Sequence, residues 1–362
     1  MMTTPCAPIN GQADAAVHAI RKSTAVAAYA KVPLSAASLR KLEQIKCLAD
    51  SINGLSSLYP CAEVNGLFES LVSACVDADA EEEEVALQLD SLVRYFSRRV
   101  GEDANGHWLR SLVYQMEPGG GPLFLLPSAQ DRQSLIVKCA EAETLMERDF
   151  AQRLGALKAE NDILAALQTF RFIRNYEKLT RLEYHLLLGQ EQCTPASLRN
   201  VAFVGSGPLP LTTLFLVDGL LPQHTVVTNY DIDRESNGIA RRWMHALPAL
   251  RERVAFQTAD ILDVPPEELR RYDVVVLAAL VGVASKMKCR ILHHLRRGMK
   301  DGSFLLLRSA QGAKAFLYPV VDLVDLREWR VCSVTHPKGE VVNSVIVVTK
   351  KSLDVADVDS WG

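Results

Sequence analysis

Apolar residues follow two different periodicities along the chain, and the change falls near residue 197. Residues 15–190 repeat apolar positions at spacings of three and four, as at Leu67, Leu71 and Cys75, which predicts amphipathic helices. Beyond residue 195, short apolar runs alternate with helical segments, which predicts an α/β protein with a mostly parallel, doubly wound sheet. We therefore predict a helical N-terminal domain over 1–197, a Rossmann-like domain over 198–350 and a polar tail over 351–362.

Seven segments have the length and composition of strands: 201–204, 225–230, 254–257, 274–278, 304–307, 330–334 and 341–348. Helical patterns fill most of the gaps between the first five strands. The last two are joined by the turn His336-Pro337-Lys338-Gly339, which predicts an antiparallel hairpin at the end of the sheet. Such a hairpin is typical of S-adenosylmethionine enzymes and not of nicotinamide enzymes.

The first predicted strand ends at the glycine turn Gly205-Ser206-Gly207, before an apolar segment of helical length. A strand that breaks at glycines before a helix brings the backbone close to a ligand at the carboxyl edge of a sheet. Pro208 and Pro210 suit the first turn of that helix, because the N–H that proline lacks would be unpaired there. Pro210 also stands where the third glycine of a dinucleotide motif would fall, which favours an S-adenosylmethionine loop. Taken alone, however, such a turn is about as often structural as ligand-binding.

Carboxylates and small residues follow the other predicted strands. Asp231 follows the second strand, where an acid can accept hydrogen bonds from a ribose, and Asp260 follows the third, where it could accept from an adenine amino group. Ala278 and Ala279 leave room for a ligand after the fourth strand. Asp233 is better explained as the N-cap of the next helix. Asp231 and Asp260 could instead stabilise turns or cap helices, but the positions of these two acids at successive strand ends favour adenosine binding.

The sequence gives weaker evidence for residues that would bind the part of a substrate outside its adenosine. Arg308 and Ser309 end the fifth strand, where the guanidinium could hold a substrate carboxylate in a bidentate pair or simply lie on the surface. In the helical half, Glu143 and Glu147 lie one turn apart on a long predicted helix. Their spacing alone favours a solvated helix face. Tyr176 alone would more often be a core or rim aromatic.

The composition excludes several classes of function. The 362-residue chain is 48% hydrophobic and 23% charged with a formal net charge of -3, so it lacks the basic excess of a nucleic-acid-binding protein. No apolar run reaches the length of a membrane span, so we expect no membrane partner. The eight cysteines lack metal-ligand or redox spacing, so we expect no metal site and a cytoplasmic location. The basic bias of residues 1–42 suits either a transit peptide or an amphipathic helix over 15–30.

Several segments together resemble the nicotianamine synthase family. In the sheet half they are 201–212, 273–282, 308–310, 315–319 and 341–345, and in the helical half they are 65–76, 139–147 and Asn175-Tyr176. The resemblance extends over about residues 15–350 with the motifs in one order, which makes it specific. It also assigns 15–33 to the family's first helix and the turn after it, which argues against a transit peptide.

The resemblance implies an activity and the residues that perform it. The family joins 3-amino-3-carboxypropyl groups from S-adenosylmethionine, which implies an aminocarboxypropyltransferase that makes nicotianamine and methylthioadenosine without a required metal. The family's catalytic Glu and Tyr fall on Glu147 and Tyr176, so the active site would be a cavity between the helical domain and the S-adenosylmethionine-binding domain. Glu143 would contact substrate there. A role in metal homeostasis and a homodimer are further expectations.

Two departures from the family and three rival functions stay open. Phe170-Arg171-Phe172-Ile173-Arg174 stands where the plant pattern has paired tyrosines, which leaves the length of the product open. The stretch from about 77 to 133 is longer than in plants and could be a lid, an oligomer contact or a plain insertion. The rivals are a methyltransferase, a synthase acting on another amine such as histidine, and a non-catalytic sensor of S-adenosylmethionine or a metal chelate.

Overall fold

The strands pair in one sheet that places the ends of its central strands side by side. The computed structural model describes residues 36–81 and 129–350. The strands in these ranges are β1 (Asn200–Val204), β2 (Val226–Asp231), β3 (Val254–Thr258), β4 (Val274–Leu277), β5 (Phe304–Ser309), β6 (Trp329–Thr335) and β7 (Ser344–Lys350). The predicted helix over 15–30, most of the insertion over 77–133 and the tail over 351–362 lie outside the described residues.

Within the described residues the sheet has seven strands in the order β3-β2-β1-β4-β5-β7-β6. Strands β1 to β5 are parallel, whereas β7 runs antiparallel to both β5 and β6. This arrangement confirms the α/β fold and the antiparallel hairpin predicted from the sequence. The strand order reverses between β1 and β4, and in such sheets a ligand binds in the crevice beyond the carboxyl ends at that point.

The helices of the described ranges fall into two groups. Before the sheet lie α1 (Ala36–Asn53), α2 (Ala62–Glu81), α3 (Ala129–Ala156), α4 (Glu160–Leu167) and α5 (Ile173–Leu188). Between the strands lie α6 (Leu211–Phe215), α7 (Arg234–Met244), α8 (Pro248–Arg251), α9 (Pro266–Leu269) and α10 (Ser285–Gly298). None of the helices in these ranges is long and apolar enough to cross a membrane.

Alternating strand residues bury both faces of the sheet. In β1, Val201 and Phe203 belong to a core that also contains Phe150 and Leu154 of α3, whereas Ala202 belongs to the core on the opposite face. Strands buried on both faces are expected to be apolar without interruption, as 201–204 are. Helices α3 to α5 and one face of the sheet therefore share a core, whereas α1 and α2 belong to a separate cluster. The predicted boundary at 197/198 coincides with the turn Pro195–Ser197. That the two parts fold as separate domains stays a prediction.

Most predicted strand bounds differ from the observed ones by one or two residues, and two larger differences have local causes. The last strand begins at Ser344 and not at 341, because the carbonyl of Val341 and the N–H of Val342 bond to side chains outside the sheet. Helix α6 begins at Leu211 with Pro210 as its N-cap residue, so Pro208 lies before the first turn. The carbonyl of Pro208 instead accepts a hydrogen bond from the Trp243 indole.

Candidate active site

A cavity of about 760 Å³ lies beyond the carboxyl ends of β1 and β4, at the point where the strand order reverses. Helix α3 and Tyr176 of α5 form its wall on the helical side. Apart from Ser309, the site residues predicted from the sequence all line it: Glu143, Glu147, Tyr176, Gly205, Ser206, Gly207, Pro208, Asp231, Asp260, Ala278, Ala279 and Arg308. The structure thus brings the strand-end residues and the helical acids to one place.

The two glycines of the turn after β1 are required for different reasons. Both have positive φ values, 77° at Gly205 and 64° at Gly207, which L side chains rarely adopt. A Cβ on Gly205 would also lie 2.2 Å from Cγ2 of Val281, so the close approach of the loop after β4 depends on this glycine. A Cβ on Gly207 would lie 3.4 Å from Oε2 of Glu147, which is an ordinary contact distance, so the requirement for glycine at this position comes from its φ.

Asp231 is oriented by two backbone hydrogen bonds at the end of β2. Its Oδ2 accepts from the N–H of Gly207 at 2.8 Å, and its Oδ1 accepts from the N–H of Asp233 at 2.9 Å. Burial raises the pKa of the Asp231 carboxyl, and these hydrogen bonds oppose the shift. Asp233 accepts from the N–H of Glu235, which confirms the N-cap predicted for α7. Asp233 also pairs with Arg148 at 2.6 Å, which joins α3 to α7.

The remaining strand-end residues leave polar groups and space in the cavity. Asp260 caps a short 3-10 turn, with its Oδ1 accepting from the N–H of Leu262 at 2.9 Å, and it lines the cavity as well. Asp260 therefore both caps the turn and faces the cavity, so the two roles considered for it do not exclude each other. The hydroxyl of Ser206 is buried and has no hydrogen-bond partner among the described residues. Ala278 and Ala279 present small side chains opposite the glycine turn.

Two glutamates and two tyrosines form a hydrogen-bonded cluster at the helical wall. The hydroxyl of Tyr176 donates to Oε1 of Glu147 at 2.7 Å and lies 3.2 Å from Oε1 of Glu143. The hydroxyl of Tyr318 donates to Oε2 of Glu143 at 2.9 Å. Glu147 is only 7% exposed, so the interpretation of these acids as a solvated helix face was wrong. Nothing local in the sequence reveals this, because the covering tyrosines lie far along the chain.

Burial makes the ionised forms of this cluster costly. Desolvation, followed by the charge of Glu143, raises the pKa of Glu147 well above its ordinary value. Desolvation also raises the pKa of Glu143 and of Tyr176, the latter well above its ordinary value. Arg308 opposes the shift at both carboxyls. The cluster therefore favours a bound cation or proton more than a solvated carboxylate pair does, while Tyr176 keeps its own proton.

Arg308 and Ser309 do not have the surroundings that the sequence suggested. Arg308 is buried, and its Nε and Nη2 donate to the two carboxylate oxygens of Glu183 at 2.6 and 2.8 Å. Nη2 also donates to Thr212 at 2.7 Å, so the Nε–Nη2 edge of the guanidinium is already occupied by protein. Ser309 lies outside the cavity lining formed by the described residues, and its hydroxyl accepts from the N–H of Val321.

A second, smaller cavity of about 80 Å³ adjoins the same cluster. It is lined by apolar side chains such as Phe68, Met146 and Phe172, and it shares Glu143, Glu147, Tyr176, Tyr318 and Asn343 with the main cavity. The acidic cluster therefore lies at the junction of the two cavities. Arg171, one of the departures from the plant pattern, lines the second cavity and pairs with Glu69 of α2 at 2.5 Å.

Sequence reasoning missed Tyr318 and Asn343 as site residues, and it missed Glu183 as the partner of Arg308. The signal for the first two was present, because both lie in segments that carry the family resemblance. Glu183 gives no such signal, since it is separated by 125 residues from the arginine that it binds.

The fold and the site define an α/β protein with a large cavity at the switch point of its sheet, where such folds bind nucleotides, and with an acidic cluster on one wall of that cavity. Residues 125–355 match the family model of nicotianamine synthase proteins. The chain belongs to this family. Among the described residues, no group of His, Cys, Asp and Glu side chains is arranged to hold a metal ion.

Plant relatives match most of the chain. A probable nicotianamine synthase 4 of Arabidopsis thaliana is 36% identical over 311 residues, which cover 86% of this chain and 83% of the relative. Nicotianamine synthase 9 of Hordeum vulgare is 39% identical over 312 residues, covering 85% and 78%. The nicotianamine synthase of Solanum lycopersicum is 45% identical over 219 residues, covering 60% and 67%.

Solved structures with the same fold are more distant in sequence. A variant of MtNAS has a TM-score of 0.61 at 19% identity, and MtNAS in complex with MTA and tNA has a TM-score of 0.60 at 20% identity. Each match covers 85% of this chain and 97% of the other. At this level of identity the likeness establishes the fold.

Proposed function

We propose that this protein is a nicotianamine synthase, which transfers 3-amino-3-carboxypropyl groups between S-adenosylmethionine molecules and releases methylthioadenosine. The observation that carries the proposal is the hydrogen bond of 2.7 Å from Tyr176 to the buried carboxyl of Glu147, at the junction of a nucleoside-sized cavity and a second cavity. A methyltransferase would need the adenosine-binding residues of the sheet, but it would have no use for the hydrogen-bonded pair of Glu147 and Tyr176. Membership of the family supports the same reaction.

On the donor side, the sheet would hold the adenosine. The backbone of Gly205 and Gly207 would lie beneath it, as the close approach of the turn allows. Asp231 and Asp260 would accept hydrogen bonds from the ribose and the adenine amino group, since each carboxylate oxygen has lone pairs beyond those that the backbone already uses. The alanines after β4 would leave room for the ring.

The chemistry needs alignment and a free amine more than it needs an acid. The sulfonium of S-adenosylmethionine carries three carbons, and a nucleophile attacks the one with which it is aligned. In the proposed step a nitrogen–carbon bond forms at the γ-carbon of the donor while the carbon–sulfur bond breaks, and the electron pair leaves with sulfur. The leaving group is methylthioadenosine, a neutral thioether, so no general acid is required. The proton on the attacking amine must be removed.

Glu147 would accept the α-ammonium of the acceptor and take its proton. A carboxyl whose pKa is raised by burial is matched to this role, because proton transfer is most efficient when the pKa of the base lies near the working pH. Tyr176 retains its proton, so it would hold Glu147 in place and direct the amine toward the γ-carbon. Glu143 would attract the same ammonium from one turn away.

The second cavity would take the growing acceptor chain. It adjoins the cluster on the side away from the nucleoside features, so repeated transfer would extend the chain into it. Closure of an azetidine ring would then give nicotianamine, as the family resemblance implies. Because Arg171 lines this cavity but is paired with Glu69, it is one of the residues that would set how long a chain is accepted.

Three broader expectations belong to the same proposal. A role in metal homeostasis follows from the product, whose amines and carboxylates would chelate transition metals. A cytoplasmic location rests on the cysteine spacing, which lacks a disulfide pattern. A homodimer stays a prediction from the family, and the mass of the purified protein in solution would test it.

The test is to incubate the purified protein with S-adenosylmethionine alone and identify the products by mass spectrometry. Methylthioadenosine together with nicotianamine is the expected result. S-adenosylhomocysteine that forms only with an added acceptor would replace the proposal with a methyltransferase. Methylthioadenosine that forms only with added histidine would indicate another acceptor, and donor that binds without being consumed would indicate a sensor.

A further inference from the structure

Asn343 lies at the boundary between the two cavities and has no role in the reaction as described above. Strand β7 runs antiparallel to β5, so its first residue, Ser344, pairs with Ser309 at the carboxyl end of β5. Asn343 therefore lies at the same edge of the sheet as the glycine turn and the loop after β4. It lines both the main cavity and the second cavity.

The backbone before Asn343 is held by side chains instead of by the sheet. The ammonium of Lys314, itself buried, donates to the carbonyls of Pro337 and Val341 at 2.8 and 3.1 Å. Oδ1 of Asn175 accepts from the N–H of Val342 at 3.1 Å. These bonds fix the segment independently of ligand, so Asn343 is presented to the cavities from a fixed position.

The side chain of Asn343 is buried but incompletely bonded. It is 6% exposed, and its Nδ2 has no hydrogen-bond partner among the described residues. A buried amide donor without a partner lowers stability, so such groups are uncommon unless a ligand or a water completes them. This one lies next to the cavity in which the substrate would bind.

The charges around Asn343 indicate what it would bind. Glu143 and Glu147 attract ammonium groups, but the amino-acid part of the donor also carries a carboxylate, which these acids repel. The Nε–Nη2 edge of Arg308 is occupied by Glu183. We propose that Nδ2 of Asn343 donates a hydrogen bond to the α-carboxylate of the donor and so positions the γ-carbon of the donor for attack. This proposal rests on the proposed function.

The test is a binding cycle that involves no turnover, measured by calorimetry on the full chain. Its ligands are S-adenosylhomocysteine, the decarboxylated analogue of S-adenosylhomocysteine, and methylthioadenosine, which lacks the whole aminocarboxypropyl group. We expect Asn343→Ala to weaken S-adenosylhomocysteine binding by about 10-fold or more, as for loss of a hydrogen bond to a charged group. Binding of the other two ligands should change by less than about twofold, because neither carries the carboxylate.

Two further variants separate a ligand contact from a structural effect. Asn343→Asp preserves the shape but places a negative charge by the carboxylate, so we expect a loss for S-adenosylhomocysteine at least as large as in Asn343→Ala. Ser344→Ala is the matched control: Ser344 is the next residue, its hydroxyl bonds to Nδ1 of His336 at 2.8 Å, and all three affinities should be unchanged. Thermal unfolding of each variant would verify that it is folded.

Equal losses for S-adenosylhomocysteine and its decarboxylated analogue would overturn the proposal, because they would indicate a local structural role. Unchanged affinity for S-adenosylhomocysteine in both Asn343 variants would also overturn it, even if turnover fell, since the amide would then contact the acceptor and not the donor. These outcomes are independent of the proposed function. If S-adenosylmethionine alone gave no nicotianamine, the function would fail while the carboxylate contact could still be measured.

Discussion

At the scale of single residues, the environment of Glu143 and Glu147 determines what they can do. Four residues apart on α3, they lie on the same face of the helix, where two carboxylates ordinarily repel by a few tenths of a kcal/mol and remain ionised in water. Here Tyr176 and Tyr318 cover that face, and burial raises both pKa values.

Substitution of Glu143 should therefore move the pH dependence of the reaction. The charge of Glu143 raises the pKa of Glu147, and activity requires ionised Glu147, so activity falls as the pH falls through this raised pKa. In Glu143→Gln that charge is absent and the pKa of Glu147 is lower. We expect the acidic limb of kcat/KM for methylthioadenosine formation to shift to lower pH, whatever the change in the maximal rate.

Asp149→Asn provides the control for this measurement. Asp149 lies on the same helix, but it pairs with Arg153 at 2.9 Å on the outer face, so its neutralisation should leave the acidic limb in place. An acidic limb that stays fixed in Glu143→Gln, or shifts to higher pH, would contradict the assignment of this limb to Glu147.

At the scale of elements, the conformation of the turn between β1 and α6 is constrained by the loop after β4, which packs against it. Gly205 has a φ of 77°, which L side chains rarely adopt. The side chain of Val281 also lies so close to Gly205 that there is no space for a Cβ. The loop after β4 can thus pack directly on the turn, and the two loops together form the sheet side of the cavity.

Gly205→Ala should therefore be costly to both stability and binding. We expect the free energy of unfolding to fall by about 1–3 kcal/mol from backbone strain, with more from the clash with Val281, and nucleoside affinity to fall with it. Denaturant titration and calorimetry with methylthioadenosine measure the two effects. Gly66→Ala in α2 is the matched control: its Cβ would meet nothing within 4 Å, so alanine should stabilise that helix by up to about 1 kcal/mol. Equal stability of the two variants would contradict this account of the turn.

At the scale of the whole molecule, the helical half and the sheet are joined across the site. Glu183 of α5 and Arg308 of β5 form a buried ion pair, with side chains 3% and 5% exposed, and Arg148 of α3 pairs with Asp233 before α7. Arg308 also favours ionisation of the acidic cluster, since its charge opposes the rise in the pKa of Glu147. The position of the helical acids over the nucleoside cavity thus depends on contacts between the two halves.

Removing one member of the buried pair should destabilise the protein more than removing both. Glu183→Gln leaves the Arg308 guanidinium buried without its counter-charge, and we expect a loss of about 3–5 kcal/mol in the free energy of unfolding. Glu183→Gln combined with Arg308→Met should recover a large part of that loss. The exposed pair of Lys178 with Glu340 is the control, and Glu340→Gln should cost less than about 1 kcal/mol. A double variant less stable than Glu183→Gln would contradict this account.

Most of the sheet and much of the site could be predicted from the sequence, because they depend on local pattern. Strand ends carry the glycine turn, Asp231 and the small residues, and a doubly wound sheet brings such ends together. What could not be predicted depends on distant partners. Arg308 had no visible partner in the sequence. Val341 and Val342 extended the apolar pattern of the last strand, although the side chains of Lys314 and Asn175 bond to their backbone outside the sheet.

The central claim is that the sheet holds the donor while Glu147 activates the acceptor, and Glu147→Gln tests it most directly. The amide keeps the size of the side chain and can still accept from Tyr176, so the cavity should be preserved. Methylthioadenosine formation from S-adenosylmethionine should fall by about 100-fold or more, while the Kd for S-adenosylhomocysteine stays within about threefold of the wild-type value. Methylthioadenosine formation near the wild-type rate would contradict the account.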